Sequence, residues 1–197
     1  MLVSWITESQ PAKNRLTVGC PPGQTRGMET ELEGLRVLAH PLRLRILSLL
    51  TGAAMSAAEA ARELGESQAN ISYHMRRLHD AGLLEVAEEV EIRGGRAKRF
   101  RHNHDSGGKV RARGREDHVL LAATMGAELR RRAGSRALDA KGLTTDAEVW
   151  VDPEVWQRVR EAVAELAGQL HDAARPPRTE GTVHVNATIA LFQMEDE

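Results

Sequence analysis

The sequence predicts a mainly α (α+β) protein: short helices closed by a hairpin, followed by a C-terminal helix and a strand-helix-strand region. Three observations predict this. Aromatic residues are only 3% of the chain, so the core must be built mostly from Ala, Leu and Val, which favours helices. Between residues 31 and 82 the apolar residues recur at spacings of three and four, the helical period. From Leu84 to Ile92 the pattern changes to partial alternation and then meets Gly94-Gly95, a two-residue hairpin signal.

Each element has a local reason. Residues 1–27 hold Pro11, Pro21, Pro22, Gly19, Gly23 and Gly27 without a sustained period and read as a flexible arm. The texture changes at Met28, which makes it a candidate native start beside Met1. Leu32, Leu35 and Leu38 form a helical stripe that Pro41 interrupts. A second helix spans about Leu42 to Leu50 and ends at Thr51-Gly52. Ser56 followed by Glu59 is a capping box and starts a helix that Gly65 closes after Leu64. The next helix starts at Ser67, buries Ile71, Met75 and Leu78, and stops at Gly82. Two helices joined by a short glycine-containing turn follow the helix-turn-helix plan. Leu84–Ile92 and Arg96–His102 then make a hairpin, with Phe100 packing inward, and complete a winged helix.

After a linker over 103–115, a helix runs from Glu116 to about Arg132, with Val119, Ala123, Gly126 or Ala127, and Leu129 or Arg130 along one face. Ala147, Val149 and Val151 alternate with Glu148 and Trp150 and predict a short strand. Asp152-Pro153-Glu154 starts a helix carrying Val155, Val159, Val163, Leu166 and Leu170, and Pro176-Pro177 prevents its continuation. Alternation from Thr182 to Gln193 predicts a second strand. Two strands make a poor sheet, so this half is expected to complete its sheet on a dimer partner or on other elements. The expected domains are the arm at 1–27, a winged helix-turn-helix domain at 28–104, and a dimerisation and effector region at 105–197.

The net charge of −1 hides an asymmetry. Residues 93–115 hold nine Lys or Arg against Asp105, whereas 139–172 hold eight acids against three basic residues. This points to one polyanion-facing surface. A helix fits the major groove, and its N-terminal residues reach base edges. On the helix after Gly65, Ser67 opens the first turn, Gln68 and Asn70 carry amides suited to adenine, and Ser72 and Tyr73 can reach bases or phosphates. Arg76 and Arg77 suit guanine or phosphate. The same residues would also suit an ordinary solvated helix face. His74 lies between core and groove faces, as a packing residue or a DNA contact. On the hairpin, Arg96, Lys98, Arg99 and Arg101 suit phosphates, as salt-dependent affinity rather than sequence choice; a solvated hairpin would hold them equally.

Leu38-Ala39-His40-Pro41-Leu42-Arg43-Leu44-Arg45-Ile46-Leu47 resembles the opening of ArsR-type winged-helix repressors. Ser67-Gln68-Ala69-Asn70-Ile71-Ser72-Tyr73-His74-Met75 is similar to that family's Ser-Gln-x-x-Val-Ser-x-His-Leu recognition helix. Ala81-Gly82-Leu83-Leu84 and Arg93-Gly94-Gly95-Arg96 resemble the exit from that helix and the wing. The resemblance covers residues 31–104. It implies a homodimeric, sequence-specific transcription regulator, usually a repressor, binding double-stranded DNA. Metal-sensing members carry a thiolate pair in the helix before the recognition helix, where this chain has no cysteine between Ser56 and Leu64. Asp117-His118 lacks a second ligand pair in register, and His102, His104 and Asp105 make only a weak local cluster. Neither a metal nor a cofactor is expected, and any small-molecule effector is of no class the residues name.

The single Cys20 excludes an intramolecular disulfide framework. The chain shows no membrane-length apolar run and no signal-peptide pattern, and a cytoplasmic location is expected. Nucleophile-elbow, zinc-protease, phosphate-loop and dinucleotide-binding motifs are absent, so an enzyme is not expected. Two rivals remain. A non-specific architectural DNA protein would bind without base preference. A winged helix that binds protein is compatible with eleven basic and eleven acidic residues over 28–104.

Overall fold

The computed structural model describes residues 34–92, 95–106 and 114–195. The arm, Cys20, Met28, Leu32, Arg93, Gly94 and the Lys109–Arg113 stretch lie outside the described residues. A 3-10 turn at Gly34–Val37 leads to α1 (Pro41–Gly52), α2 (Ala57–Leu64) and α3 (Gln68–Asp80). The hairpin follows as β1 (Leu84–Ile92) and β2 (Gly95–His102), then a 3-10 turn at His104–Ser106, α4 (Arg115–Ala133) and α5 (Pro153–Asp172).

Local chemistry accounts for the helix ends. The His40 ring caps α1, with its Nδ1 accepting from Leu42 N at 3.2 Å, and Pro41 supplies a preset φ for the first turn. At α2 both bonds of the capping box form: Glu59 N donates to Ser56 Oγ, and Ser56 N donates to the Glu59 carboxylate. Gly65 closes α2 at φ +67°, a left-handed position that costs a Cβ-bearing residue about 1 kcal/mol. Asp152 occupies the cap position of α5, but its side chain makes no capping bond.

The core lies entirely within residues 35–84. Leu35, Val37, Leu38, Leu42, Ile46, Leu47, Leu50, Met55, Ala60, Ala61, Ile71, Met75, Leu78, Leu83 and Leu84 form one buried cluster, with Phe100 and Leu121 packed on its edge. α1, α2 and α3 each give it one face, as the three-and-four spacing requires. β1 and β2 pair antiparallel, with a bulge between Val86 and Glu88. Backbone bonds of 2.9 Å in both directions between Met55 and Phe100 stitch the hairpin to the α1–α2 turn.

The C-terminal half departs from expectation. The segments 147–151 and 182–193 form no strand in the described chain. They pair neither with each other nor with β1–β2. A strand exists only with a ladder partner, and burial supplies none here: Val149, Val183 and Val185 are exposed. Trp150 and Phe192 are also exposed, so they are not core residues of this chain. The last segment instead lies along α4, through Arg132 to Asn186 at 3.1 Å and an Arg115–Glu195 ion pair. Within α5 no residue is fully buried.

Three histidine rings join α5 to the base of the hairpin. His102, His104 and His171 stand 5.7 to 6.0 Å apart between centroids, and Thr51 Oγ1 lies 3.1 Å from His102 Nδ1. Burial, then the His171 and His104 rings, lowers the His102 pKa to about 4. The unfolded chain, with an ordinary histidine pKa, therefore takes up the proton first as pH falls. This stabilisation is complete above about pH 6.5 and is lost on descending toward pH 4. Urea unfolding is expected to show a loss of roughly 2 kcal/mol between pH 7.5 and pH 5. His102→Gln should remove most of that difference; an unchanged pH dependence would assign it elsewhere.

Candidate nucleic-acid interface

α3 is amphipathic with a defined division. Ile71, His74, Met75 and Leu78 are buried, and Gln68, Ala69, Tyr73 and Arg76 are exposed. Ser67 opens the helix by accepting from Asn70 N at 3.2 Å, so its hydroxyl serves the fold. Gln68, Ser72 and Arg76 are spaced by four and form one row. With Arg62 of α2 and Val90, Arg96, Ala97, Lys98 and Phe100 of the hairpin, this row lines an open groove of about 630 Å³. Arg62 was not singled out from sequence, because its proximity to the row depends on the turn between α2 and α3.

Asn70, Tyr73 and Arg77 occupy the next row. Asn70 Nδ2 donates to Glu66 at 3.2 Å, which commits half of its amide. The Tyr73 ring stands edge-on to His74 at 5.1 Å and stays half exposed. Arg77 is half-buried. The structure therefore brings Gln68, Ser72 and Arg76 together with Arg96 and Lys98, and turns Asn70, Tyr73 and Arg77 aside from that groove.

His74 is a packing residue. It is buried, accepts from Arg43 Nε at 3.3 Å, and stacks against His40 at 4.4 Å. Burial lowers its pKa, reinforced by His40 and Arg43.

The hairpin differs from a simple basic wing. In register, Glu85 faces Arg101, Glu88 faces Arg99, Glu89 faces Lys98 and Glu91 faces Arg96. Every described cation of β2 thus stands opposite a glutamate of β1. Arg99 is the most committed. Its guanidinium reaches Glu88 at 2.7 Å and, across to α2, Glu59 at 3.1 Å. Burial alone would raise the Glu59 pKa, but bonds from Ser56 and the Arg99 charge carry it below its ordinary value. Arg99, expected to meet phosphate, is therefore already bonded as a brace between hairpin and helix. Arg96 and Lys98 lie 3.5 and 3.9 Å from Glu89 and remain largely exposed.

Residues 38–87 match the model of a helix-turn-helix domain family. No curated protein matches the chain. A solved structure described as an ArsR-like transcriptional regulator from Rhodococcus sp. RHA1 is similar at 27% identity, covering 55% of this chain and 92% of that one, with a TM-score of 0.32. The family match spans the opening, recognition-helix and exit motifs, and the described hairpin completes the wing after it.

The brace is directly testable. Arg99→Ala, Glu59→Gln and the double variant form a cycle whose expected coupling is about 0.5–1 kcal/mol, because both side chains are about one-third exposed. Urea midpoints at constant slope measure it, and strict additivity would show that the two groups do not interact.

The matched domain family and the observed helices and hairpin agree: residues 38–102 form a helix-turn-helix domain completed by a two-stranded wing.

Proposed function

We propose that the protein is a cytoplasmic, homodimeric, sequence-specific regulator, acting as a repressor on a palindromic operator. The observation that carries this is the row Gln68–Ser72–Arg76, presented by a helix whose opposite face is fully buried. An amide, a hydroxyl and a guanidinium in one row suit base edges in a major groove. Arg62 and the ends of α2 and α3 suit the flanking phosphates, as positioning contacts without sequence choice.

The homodimer reading rests on α4. Its inward stripe is mostly polar: Asp117, Thr124 and Glu128 are buried beside Leu121, which packs on the core edge. Asp117 accepts from Arg36 at 2.7 Å, and Glu128 is paired with Arg131 at 2.8 Å. The apolar residues Val119 and Leu120 point to solvent instead, on one side with Ala123 and Ala127. A helix with its apolar side turned away from its own core suits a matching copy. The exposed alternating segments 147–151 and 182–193 suit the same contact, and any effector would bind in this region. Two recognition helices related by a two-fold axis then read half-sites about one helical turn apart.

The charge-paired hairpin favours the rival in which the winged helix binds protein, because it weakens the wing's grip on phosphate. Capture and sequencing of genomic fragments, at about 50 and 200 mM salt, separates the readings. The proposal expects a shared palindrome that survives the higher salt. Gln68→Ala should relax base preference and Arg76→Ala should weaken binding, each by roughly 1–3 kcal/mol, with smaller effects from Asn70→Ala and Arg77→Ala. Uniform retention that vanishes with salt would establish the architectural reading. No retention at either salt would favour a protein partner.

A further inference from the structure

The four cross-strand pairs of the hairpin call for a reason. Exposed ion pairs contribute little to stability, a median near 0–1 kcal/mol. A wing that grips phosphate also gains nothing from glutamates beside its cations. Yet Glu85, Glu88, Glu89 and Glu91 answer Arg101, Arg99, Lys98 and Arg96 one for one. Two of these pairs belong to the fold. Arg99 braces α2 through Glu59, and Arg101 Nε is bonded to Glu85. The other two sit toward the hairpin tip, beside the groove that the α3 row lines. There Glu89 serves Arg96 and Lys98 together, at 3.5 and 3.9 Å, and Glu91 stands opposite Arg96.

We propose that Glu89 and Glu91 are the specificity-setting residues of the wing: Glu89 pairs with Arg96 and Lys98, Glu91 adds its charge across from Arg96, and together they hold down the sequence-independent part of DNA binding. This rests on the DNA-binding reading above. A cation neutralises a phosphate, and releases its counterions, only when it is free to face that phosphate. A cation shared with a neighbouring carboxylate must first leave it, and the carboxylate then repels the DNA. Base contacts from α3 are untouched by this masking. The ratio of specific to non-specific binding therefore rises as the wing's own contribution falls.

The test is the salt dependence of binding to a mixed-sequence duplex that contains no selected site, using the full-length chain. The wild type is compared with Glu89→Gln/Glu91→Gln, with Arg96→Gln/Lys98→Gln and with the quadruple variant. Glu154→Gln/Glu180→Gln, which changes net charge equally in and after α5, controls for charge alone. Thermal melting confirms that each is folded. Each unmasked cation should add about 0.9 to the slope of log K against log salt. Glu89→Gln/Glu91→Gln should therefore steepen the slope by about 1–2 and tighten low-salt binding at least ~10-fold. The quadruple variant should return to the wild-type slope, and Arg96→Gln/Lys98→Gln, which leaves both glutamates unpaired, should flatten it. The inference is overturned if Glu89→Gln/Glu91→Gln leaves the slope unchanged, if the Glu154/Glu180 control steepens it equally, or if the quadruple variant keeps the steepened slope. A wild type that binds no duplex while Glu89→Gln/Glu91→Gln does would support the masking outright. If neither binds at low salt, the DNA reading falls and the inference falls with it, an outcome distinct from binding with an unchanged slope.

Discussion

The fastening of the hairpin to the helices is the constraint on which the groove depends. A two-stranded ribbon has no stability or fixed direction of its own. Here its base is held by Asn103, whose backbone and side chain bond Leu83 and Gly82, and its middle by the Met55–Phe100 bridge. Beside that bridge the Glu59 carboxylate caps α2 and accepts from Arg99. One carboxylate therefore fixes both the start of a helix and the reach of a strand. The Phe100 ring adds an apolar anchor, edge-on to His79 at the end of α3. The distance between the α3 row and the hairpin tip follows from these contacts.

Charge is used twice, with opposite effects. Along α4 two carboxylates are buried while Val119 and Leu120 are exposed, so the helix gives its own core little more than Leu121. On the hairpin the acids and bases lie on neighbouring strands, so each described β2 cation stands across from a carboxylate. In both cases the sequence total is uninformative, because pairing and direction decide what a partner meets. The basic excess over 93–115 suggested an exposed polyanion surface, and the register answers most of its described β2 cations within the hairpin itself.

The helices and hairpin were legible because their signals are local. Ser56 with Glu59, Ser67, Gly65 and Pro153 each act within a turn, and the elements fall at the boundaries they mark. The α3 row was legible as a set of residues but not as a geometry. Tethering of Asn70 by Glu66, and the half-burial of Arg77, depend on packing across the turn. Of the four acid–base pairs, the bulge at 86–88 hid only the one farthest from the turn. Unbroken counting back from the turn would set Val86, not Glu85, opposite Arg101. Alternation over 147–151 and 182–193 stated that one side was apolar without saying what would cover it, and the described residues supply no such cover.

The central claim is that α3 enters the major groove while the hairpin adds little grip of its own. Dimethyl sulfate interference on a selected duplex tests it most directly, since guanine N7 lies in the major groove and adenine N3 in the minor groove. The account predicts interference at guanine N7 in two patches about one helical turn apart, lost in Arg76→Ala, with little at adenine N3. Interference confined to adenine N3, or major-groove interference indifferent to Arg76, would contradict it.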